Sequence, residues 1–360
     1  MLYNVAIGLV PKVGDKLTKY LISYLGSAEN VFKANKKKLM SVPGIGSGVA
    51  DEILNAKEIL LKAEEIIKTA EKSNSQILFY TDANFPKRLK ELADAPTLLY
   101  YNGSANLNSA RTISIVGTRN ASEYGKAITE KIVSELASYN VVVISGLAYG
   151  IDIAAHKACI KHGVPTVGVM GSGLDIIYPA QHKKTAEEMI ANGGILTENT
   201  FGVKPDAPRF PERNRIIAGL GDALIVVETA EKGGTLITAE IAFSYNKEIY
   251  AVPGNLGVKS SEGSNKLIVQ QKAQIFLSVE QIVNDLHWNS DYQQPSKPNL
   301  PELTDEELII YNCILKNNEI LIDDLAWKTQ ISIGKLSSIL LTMEFQGILK
   351  PLPGKRIKLV

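Results

Sequence analysis

An α/β fold, an extended Rossmann-like, doubly wound and mostly parallel sheet, is the class this sequence predicts, on three observations. Ile113–Val116, Val141–Ile144, Thr166–Met170, Ala223–Val227 and Ile249–Val252 are runs of strand length, mostly apolar rather than alternating. Strands covered by helices on both faces read this way. Amphipathic segments near 124–138, 152–162, 181–192, 212–220 and 235–246 fall between them, so strand and helix alternate. Each run is followed by a glycine-bearing turn, and in open α/β sheets that edge is where ligands bind.

Ahead of the alternating region, residues 1–72 read as a small all-α domain. Leu17, Tyr20, Leu21 and Tyr24 recur at helical spacing, as do Ile53, Leu54, Ile59, Leu60, Ile66 and Ile67. Between them, Ser41–Ile53 resembles a helix–hairpin–helix, whose Gly44-Ile45-Gly46 turn would let backbone amides approach a phosphate. Lys36, Lys37 and Lys38 precede it; a glycine-rich helix connection beside solvated lysines reads equally from the same residues. The α/β core is expected over 73–287, opening with the short strand Ile77–Tyr80 and the run Leu98–Gly103. Residues 288–302 form a polar, Pro-rich linker, and 303–360 a winged-helix-like domain. In that last domain the segment from Ile333 carries only Lys335 in its first turns, with no Arg, Asn or Gln to read base edges. An interaction or accessory role fits it better than sequence-specific reading.

Composition narrows the class. With 360 residues, 45% of them apolar, the chain can bury a core and hold more than one domain. A formal net charge of +1 means that any nucleic-acid binding must come from local clusters. Cys159 and Cys313 lie far apart, which argues against a disulfide framework or a cysteine zinc site, and Cys159 reads as core. No apolar run approaches the roughly 20 residues that span a bilayer, and Met1–Val10 lacks the basic lead of a signal peptide. The expectation is a cytoplasmic protein without a membrane partner.

The stretch Arg209–Glu228 organises the candidate site. Phe210, Arg213, Asn214 and Arg215 stand at the head of a helix, with Pro211 in or near its first turn, and Ala223–Val227 follows as a buried strand. Two arginines so close invite either an anion between them or separate surface and salt-bridge roles. The strand-end turns Gly117–Asn120, Ser145–Asp152, Gly171–Asp175, Glu228–Thr235 and Pro253–Asn255 add glycines and hydroxyls near helix starts, the ingredients of phosphate recognition. No Gly-x-x-x-x-Gly-Lys-Ser/Thr loop is present, and the first turn lacks Gly-x-Gly-x-x-Gly, so neither a P-loop ATPase nor a dinucleotide enzyme is supported. His156, His162, His182 and His287 have no metal-ligand spacing; His156 reads as a packed residue four positions after Asp152, a helix N-cap. No catalytic set, metal or cofactor is expected.

Several blocks together resemble the DNA-processing protein A family (DprA, or Smf). They are Ile115–Arg119 with Tyr124-Gly125, Ser145–Asp152 with Ala155-His156, Gly171–Asp175 with Tyr178-Pro179, and Phe210–Leu220. Gly234–Ala239, Val252–Gly254 and Gly263–Ile268 complete a match over roughly 77–285 in the family's order. The resemblance implies a non-enzymatic protein that binds single-stranded DNA, protects incoming strands during natural transformation and loads a RecA-type recombinase, commonly as a homodimer. Carried onto this chain, the strand would contact Arg119, Ser145, Gly146, Phe210, Arg213, Asn214, Arg215, Gly234 and Thr235. Gly117, Tyr149, Gly171 and Gly173 are secondary candidates. Phe210 fits either a base-stacking platform or the core. Tyr149 stands where many relatives carry a basic residue, so a phosphate contact there is lost or replaced by stacking.

Two rivals remain at this point. Gly233–Glu240 distantly resembles the signature of nucleotide phosphoribohydrolases, with Glu240 at the catalytic offset, although Lys232 replaces a proline and Leu236-Ile237 replace Gly-Thr. A duplex-reading transcription factor would instead rely on the C-terminal domain.

Overall fold

A computed structural model describes residues 1–288, 303–317, 319–352 and 354–359. Two compact units divide the chain at Trp288. The linker expected over 288–302 lies, apart from Trp288, outside the described residues.

Nine strands form the sheet of the first unit: β1 Gln76–Phe79, β2 Leu98–Gly103, β3 Thr112–Val116, β4 Val142–Ser145, β5 Thr166–Val169, β6 Gly194–Thr197, β7 Ala223–Val226, β8 Glu248–Ala251 and β9 Gln274–Ile275. Their spatial order is β1-β2-β6-β5-β4-β3-β7-β8-β9. From β6 through β9 all neighbours are parallel, while β1 with β2 and β2 with β6 are antiparallel. The sheet is therefore mostly parallel, as the predominantly apolar runs require.

Alternation along each strand sends side chains to two helical layers. Ile113, Ile115, Val143 and Ile225 pack with Ile132, Val133 and Leu136 of helix Glu123–Leu136 and with Ala155 of helix Ile151–His162. Val116, Ile144, Val169 and Leu224 pack on the other face with Ile216, Ile217 and Leu220 of helix Arg209–Leu220 and with Ala239 and Ala242 of helix Gly234–Ser244. Each such Val, Leu or Ile, fully buried, contributes about 1.5–3 kcal/mol relative to exposure.

The helical residues before β1 belong to the same unit. Their core, including Ile7, Leu21, Val31, Leu39 and Ile53, reaches Phe79 of β1, and Val5 and Ala63 pack beside Ile77 and Leu98. Asp15, the first residue of helix Asp15–Leu25, accepts hydrogen bonds from the amide (2.7 Å) and hydroxyl (2.8 Å) of Thr97 just before β2. The second unit has helices Asp305–Asn317, Ile322–Thr329 and Ile333–Phe345, with strands β10 Glu319–Leu321, β11 Leu349–Leu352 and β12 Arg356–Leu359 in the order β10-β12-β11. This is a winged helix closed over Ile310, Ile314, Leu325, Leu336 and Met343.

Candidate nucleic-acid interface

From β3 the chain steps outward through β4 and β5 to β6, then returns to lay β7 against the other side of β3. The helix after β3, Glu123–Leu136, lies on one face and the helix after β7, Gly234–Ser244, on the other. That divergence is a topological switch point, and it opens a crevice at the carboxyl ends of the two strands. A cleft of ≈ 450 Å³ occupies it, lined by Gly117–Arg119 after β3, by Lys232–Thr235 after β7, and by Phe210, Arg213 and Asn214. A second cleft of ≈ 550 Å³ shares Arg119, Phe210, Asn214 and Gly234 with the first and adds Tyr178, Pro205 and Ile237. The two make one groove with Phe210 at the junction.

Arg119 is exposed, and its guanidinium lies over the half-buried Phe210 ring, 5.6 Å from the centroid. The exposed Tyr178 ring sits 5.6 Å from Phe210, tilted by 40°. Helix Gly234–Ser244 has Gly233 as its N-cap, with no side-chain cap; the Leu236 amide donates to the Gly233 carbonyl at 3.1 Å, and Gly234 and Thr235 line the cleft ahead of it. The exposed Lys232 stands beside them. Cations, a helix start and two stackable rings thus share one surface.

Arg213 plays a different part from the one its sequence position suggests. It is buried and donates hydrogen bonds to the carbonyls of Gly146, at 2.5 Å, and Val169. Burial lowers its pKa to about 10, the charge of Asp152 opposing the shift, so the group stays charged at neutral pH. Its guanidinium braces the ends of β4 and β5 and forms part of the cleft floor. Gly146 is required for this: a Cβ there would lie 2.5 Å from Asp152 and 2.7 Å from Arg213. Gly150 has φ +78°, and a Cβ there would stand 2.1 Å from the Thr118 carbonyl, so this turn packs directly under the Thr118-Arg119 backbone.

Arg215 corrects the expectation of an anion held between two arginines. It projects from another flank of the helix, donates to Glu198 and lies 3.6 Å from Asp15. Its charge is matched by carboxylates behind the groove, and it does not line either cleft. Glu198 is largely buried; desolvation raises its pKa, and Arg215 pulls in the other direction. Ser145 is likewise redirected: its hydroxyl is buried and donates to the Ile115 carbonyl at 2.6 Å, tying β4 to β3.

Of the remaining candidates, Asn214, Gly234, Thr235 and Gly117 line the first cleft. Gly171 backs the Phe210 ring, which would lie 3.2 Å from a Cβ at that position. Gly173 packs against the Thr200 carbonyl, away from the cleft. Tyr149 donates to Gln181 at 2.8 Å, and its ring lies 5.0 Å from His182, outside the cleft lining. Tyr178 and Lys232, absent from the residues expected at the site, also line the groove, although both stand inside the motifs Tyr178-Pro179 and Glu228–Thr235. Glu228 is buried and accepts from the amide (2.9 Å) and hydroxyl (2.5 Å) of Ser122, tying the turn after β3 to the end of β7. Burial pushes the Cys159 thiol up to about 12, as befits a core residue.

Away from the groove, the hairpin lysines are partly committed, since Lys36 pairs with Asp51 at 2.6 Å. In the winged helix, Lys335 pairs with Glu306 at 2.5 Å. Among the described residues, no helix is long and apolar enough to cross a membrane.

The architecture is that of a Rossmann-like protein to which a winged helix is joined. The sequence profile of DNA recombination-mediator protein A matches residues 76–287, and that of the DprA winged helix domain matches 294–355. This chain belongs to the DNA recombination-mediator protein A (DprA/Smf) family. Protein Smf of Synechocystis is 31% identical over 98% of this chain and 97% of its own length. DNA processing protein DprA of Bacillus subtilis is 34% identical over 73% of this chain and 91% of its own. The crystal structure of DprA from Streptococcus pneumoniae matches with a TM-score of 0.68 at 28% identity, covering 79% of this chain and 98% of that one. DNA processing protein A of Helicobacter pylori, whose structure was described for its single-stranded DNA binding mode, matches with a TM-score of 0.54 at 31% identity, over 59% of this chain and 95% of that one.

Proposed function

We propose that this chain binds single-stranded DNA in the groove at the β3–β7 switch point, without reading base identity. The observation that carries the reading is the Arg119–Phe210 pair at the junction of the two clefts, beside the uncapped start of helix Gly234–Ser244. Phosphates are held by Arg119, Lys232 and the Gly234 and Thr235 amides, with Asn214 beside them. Bases stack on Phe210 and Tyr178, whose faces are indifferent to sequence. Arg213, Gly146 and Ser145 hold the groove's floor. The single-stranded DNA binding described for the Helicobacter pylori relative supports this reading.

In the cell, the proposed role is DNA processing in natural transformation and recombination: the protein, a cytoplasmic homodimer, protects incoming strands and passes them to a RecA-type recombinase. Family membership supports the processing role; the recombinase and the dimer rest on the family resemblance. The proposed division of labour places binding in 73–287, with 1–72 and 303–360 as accessory domains. The protein acts by binding rather than catalysis. The phosphoribohydrolase alternative loses its central residue, because Glu240 is ion-paired with Lys272 at 2.5 Å and does not line the cleft.

Fluorescence anisotropy with matched single- and double-stranded oligonucleotides tests the binding reading. Preference for the single strand, lost in Arg119→Ala at unchanged thermal stability, is expected. Equal binding of both forms, or full affinity in Arg119→Ala, would overturn it. For the recombinase role, addition of the protein should shorten the lag of RecA filament growth on strands coated by single-strand-binding protein; an unchanged lag would remove that part.

A further inference from the structure

A separate cavity neighbours the groove. Beyond the turn Thr118–Ser122 lies a cavity of ≈ 400 Å³, lined by Ser122, Tyr124, Pro253, Asn255, Val258 and Ser260, among others. It adjoins the first cleft across a shared wall: Thr229 lines the cleft, Glu228 lines the cavity, and the Glu228 carbonyl accepts from the Thr118 amide at 2.7 Å. Both openings lie at the carboxyl edge of the parallel sheet, the cleft at the ends of β3 and β7 and the cavity beside it, walled by residues that follow β3, β7 and β8.

The walls of this cavity are preformed. Ser122 caps helix Glu123–Leu136, accepting from the Gly125 amide at 3.0 Å, and also donates to Glu228, which fixes the turn carrying Tyr124. On the opposite wall, Asn265 holds Gly254 from both sides, accepting from its amide at 3.1 Å and donating to its carbonyl at 2.9 Å. Tyr124, in the first turn of its helix, is 55% exposed at the mouth. Among the described residues no Lys or Arg lines the cavity, and the one carboxylate there, Glu228, is engaged by Ser122. Such a site offers a phosphate nothing to balance its charge. It offers a flat neutral group an aromatic face, with the Asn255 amide and Ser260 hydroxyl at its edge.

We propose that Tyr124 and the Pro253–Ser260 loop form a further nucleobase subsite, occupied by the same DNA strand after it has passed over Arg119. This rests on the groove reading above and extends it, placing stacking platforms on both sides of the phosphate site: Phe210 and Tyr178 on one, Tyr124 on the other. Arg119 and Tyr124 are five residues apart and so at most about 18 Å from each other. Only a strand long enough to leave the first cleft reaches the second platform.

The test compares oligothymidylates of about 4 and about 16 nucleotides, the range of single-strand site sizes. Tyr124→Ala is expected to weaken the long oligonucleotide about 5- to 100-fold, the effect of one lost base stack, and to leave the short one unchanged. Tyr124→Phe should restore binding of the long one. Photocrosslinking of the wild-type protein, with 5-iodouracil placed at successive positions of the long oligonucleotide, should label Tyr124. Long-oligonucleotide affinity unchanged in Tyr124→Ala, or lowered equally for both lengths, would overturn the subsite. So would a shift in oligomeric state without a change in affinity, which would place a second copy of the chain over the cavity. Arg119→Ala separates the two levels: loss of both lengths there, with no effect of Tyr124→Ala, sinks the subsite alone. Retention of both lengths in Arg119→Ala sinks the groove itself.

Discussion

Arg215 donates a hydrogen bond to Glu198 on the flank of helix Arg209–Leu220 turned away from the groove, while two positions earlier Arg213 is sunk into the groove's floor. One helix thus presents Phe210 and Asn214 to the cleft and is anchored from behind to the strand-end residue Glu198 and the N-terminal helix residue Asp15. The helical residues before the sheet brace the groove without lining it.

Arg215→Met should therefore act on stability first. Removing it leaves Glu198 and Asp15 without their cation, and the loss expected for a partly buried pair is about 2 kcal/mol. Urea denaturation reads this directly, and the double variant Arg215→Met/Glu198→Gln should recover part of the loss. Under conditions where the variant is folded, its affinity for single strands should stay close to wild type. A tenfold affinity loss at unchanged stability would mean that Arg215 touches the strand.

His156 gives a pH signature of the core. It is fully buried, with Nδ1 2.8 Å from the Thr166 hydroxyl and Nε2 unpartnered, and burial lowers its pKa to about 3. Thr166 donates to the Val143 carbonyl at 2.9 Å, so it accepts from Nδ1–H and the ring sits neutral. A folded pKa below the unfolded value of about 6.5 means that the contribution is complete above pH 6.5 or so, and falls as the unfolded chain takes up a proton. At about pH 5 the loss is about 2 kcal/mol. His156→Leu should flatten the fall in melting temperature between about pH 7 and pH 5; an unchanged slope would show that another group drives it.

Phe210→Ala should weaken binding of single strands by about 5- to 100-fold, equally for all sequences, because a stacked base is lost rather than a hydrogen-bond pattern. Phe210→Trp should retain affinity. Anisotropy on homopolymeric strands checks both, and a loss confined to one base would mean that the groove reads identity.

The sheet was legible because its buried strands are predominantly apolar runs and its helices are amphipathic. β6 escaped notice since only Ile195 and Leu196 supply apolar bulk behind Gly193-Gly194, and the two-residue β9 is too short to leave a pattern. Within the site, glycine turns pointed through chain order alone to the sheet edge at which the cleft lies. What chain order does not carry is which flank of a helix a side chain leaves from: Arg213 and Arg215 are near-equivalent in sequence, yet one turns to the carbonyls of Gly146 and Val169 and the other to Glu198. Tyr178 lay in a recognised motif, but its approach to Phe210 depends on two distant segments meeting.

Salt-titrated binding of a single-stranded oligonucleotide to the wild-type protein and to Arg119→Ala bears most directly on the groove. The account predicts affinity that falls steeply as salt rises, with a logarithmic slope smaller by about 0.7 in Arg119→Ala, one phosphate contact on a single strand. Salt-independent binding, or an identical slope and affinity in the two proteins, would contradict it.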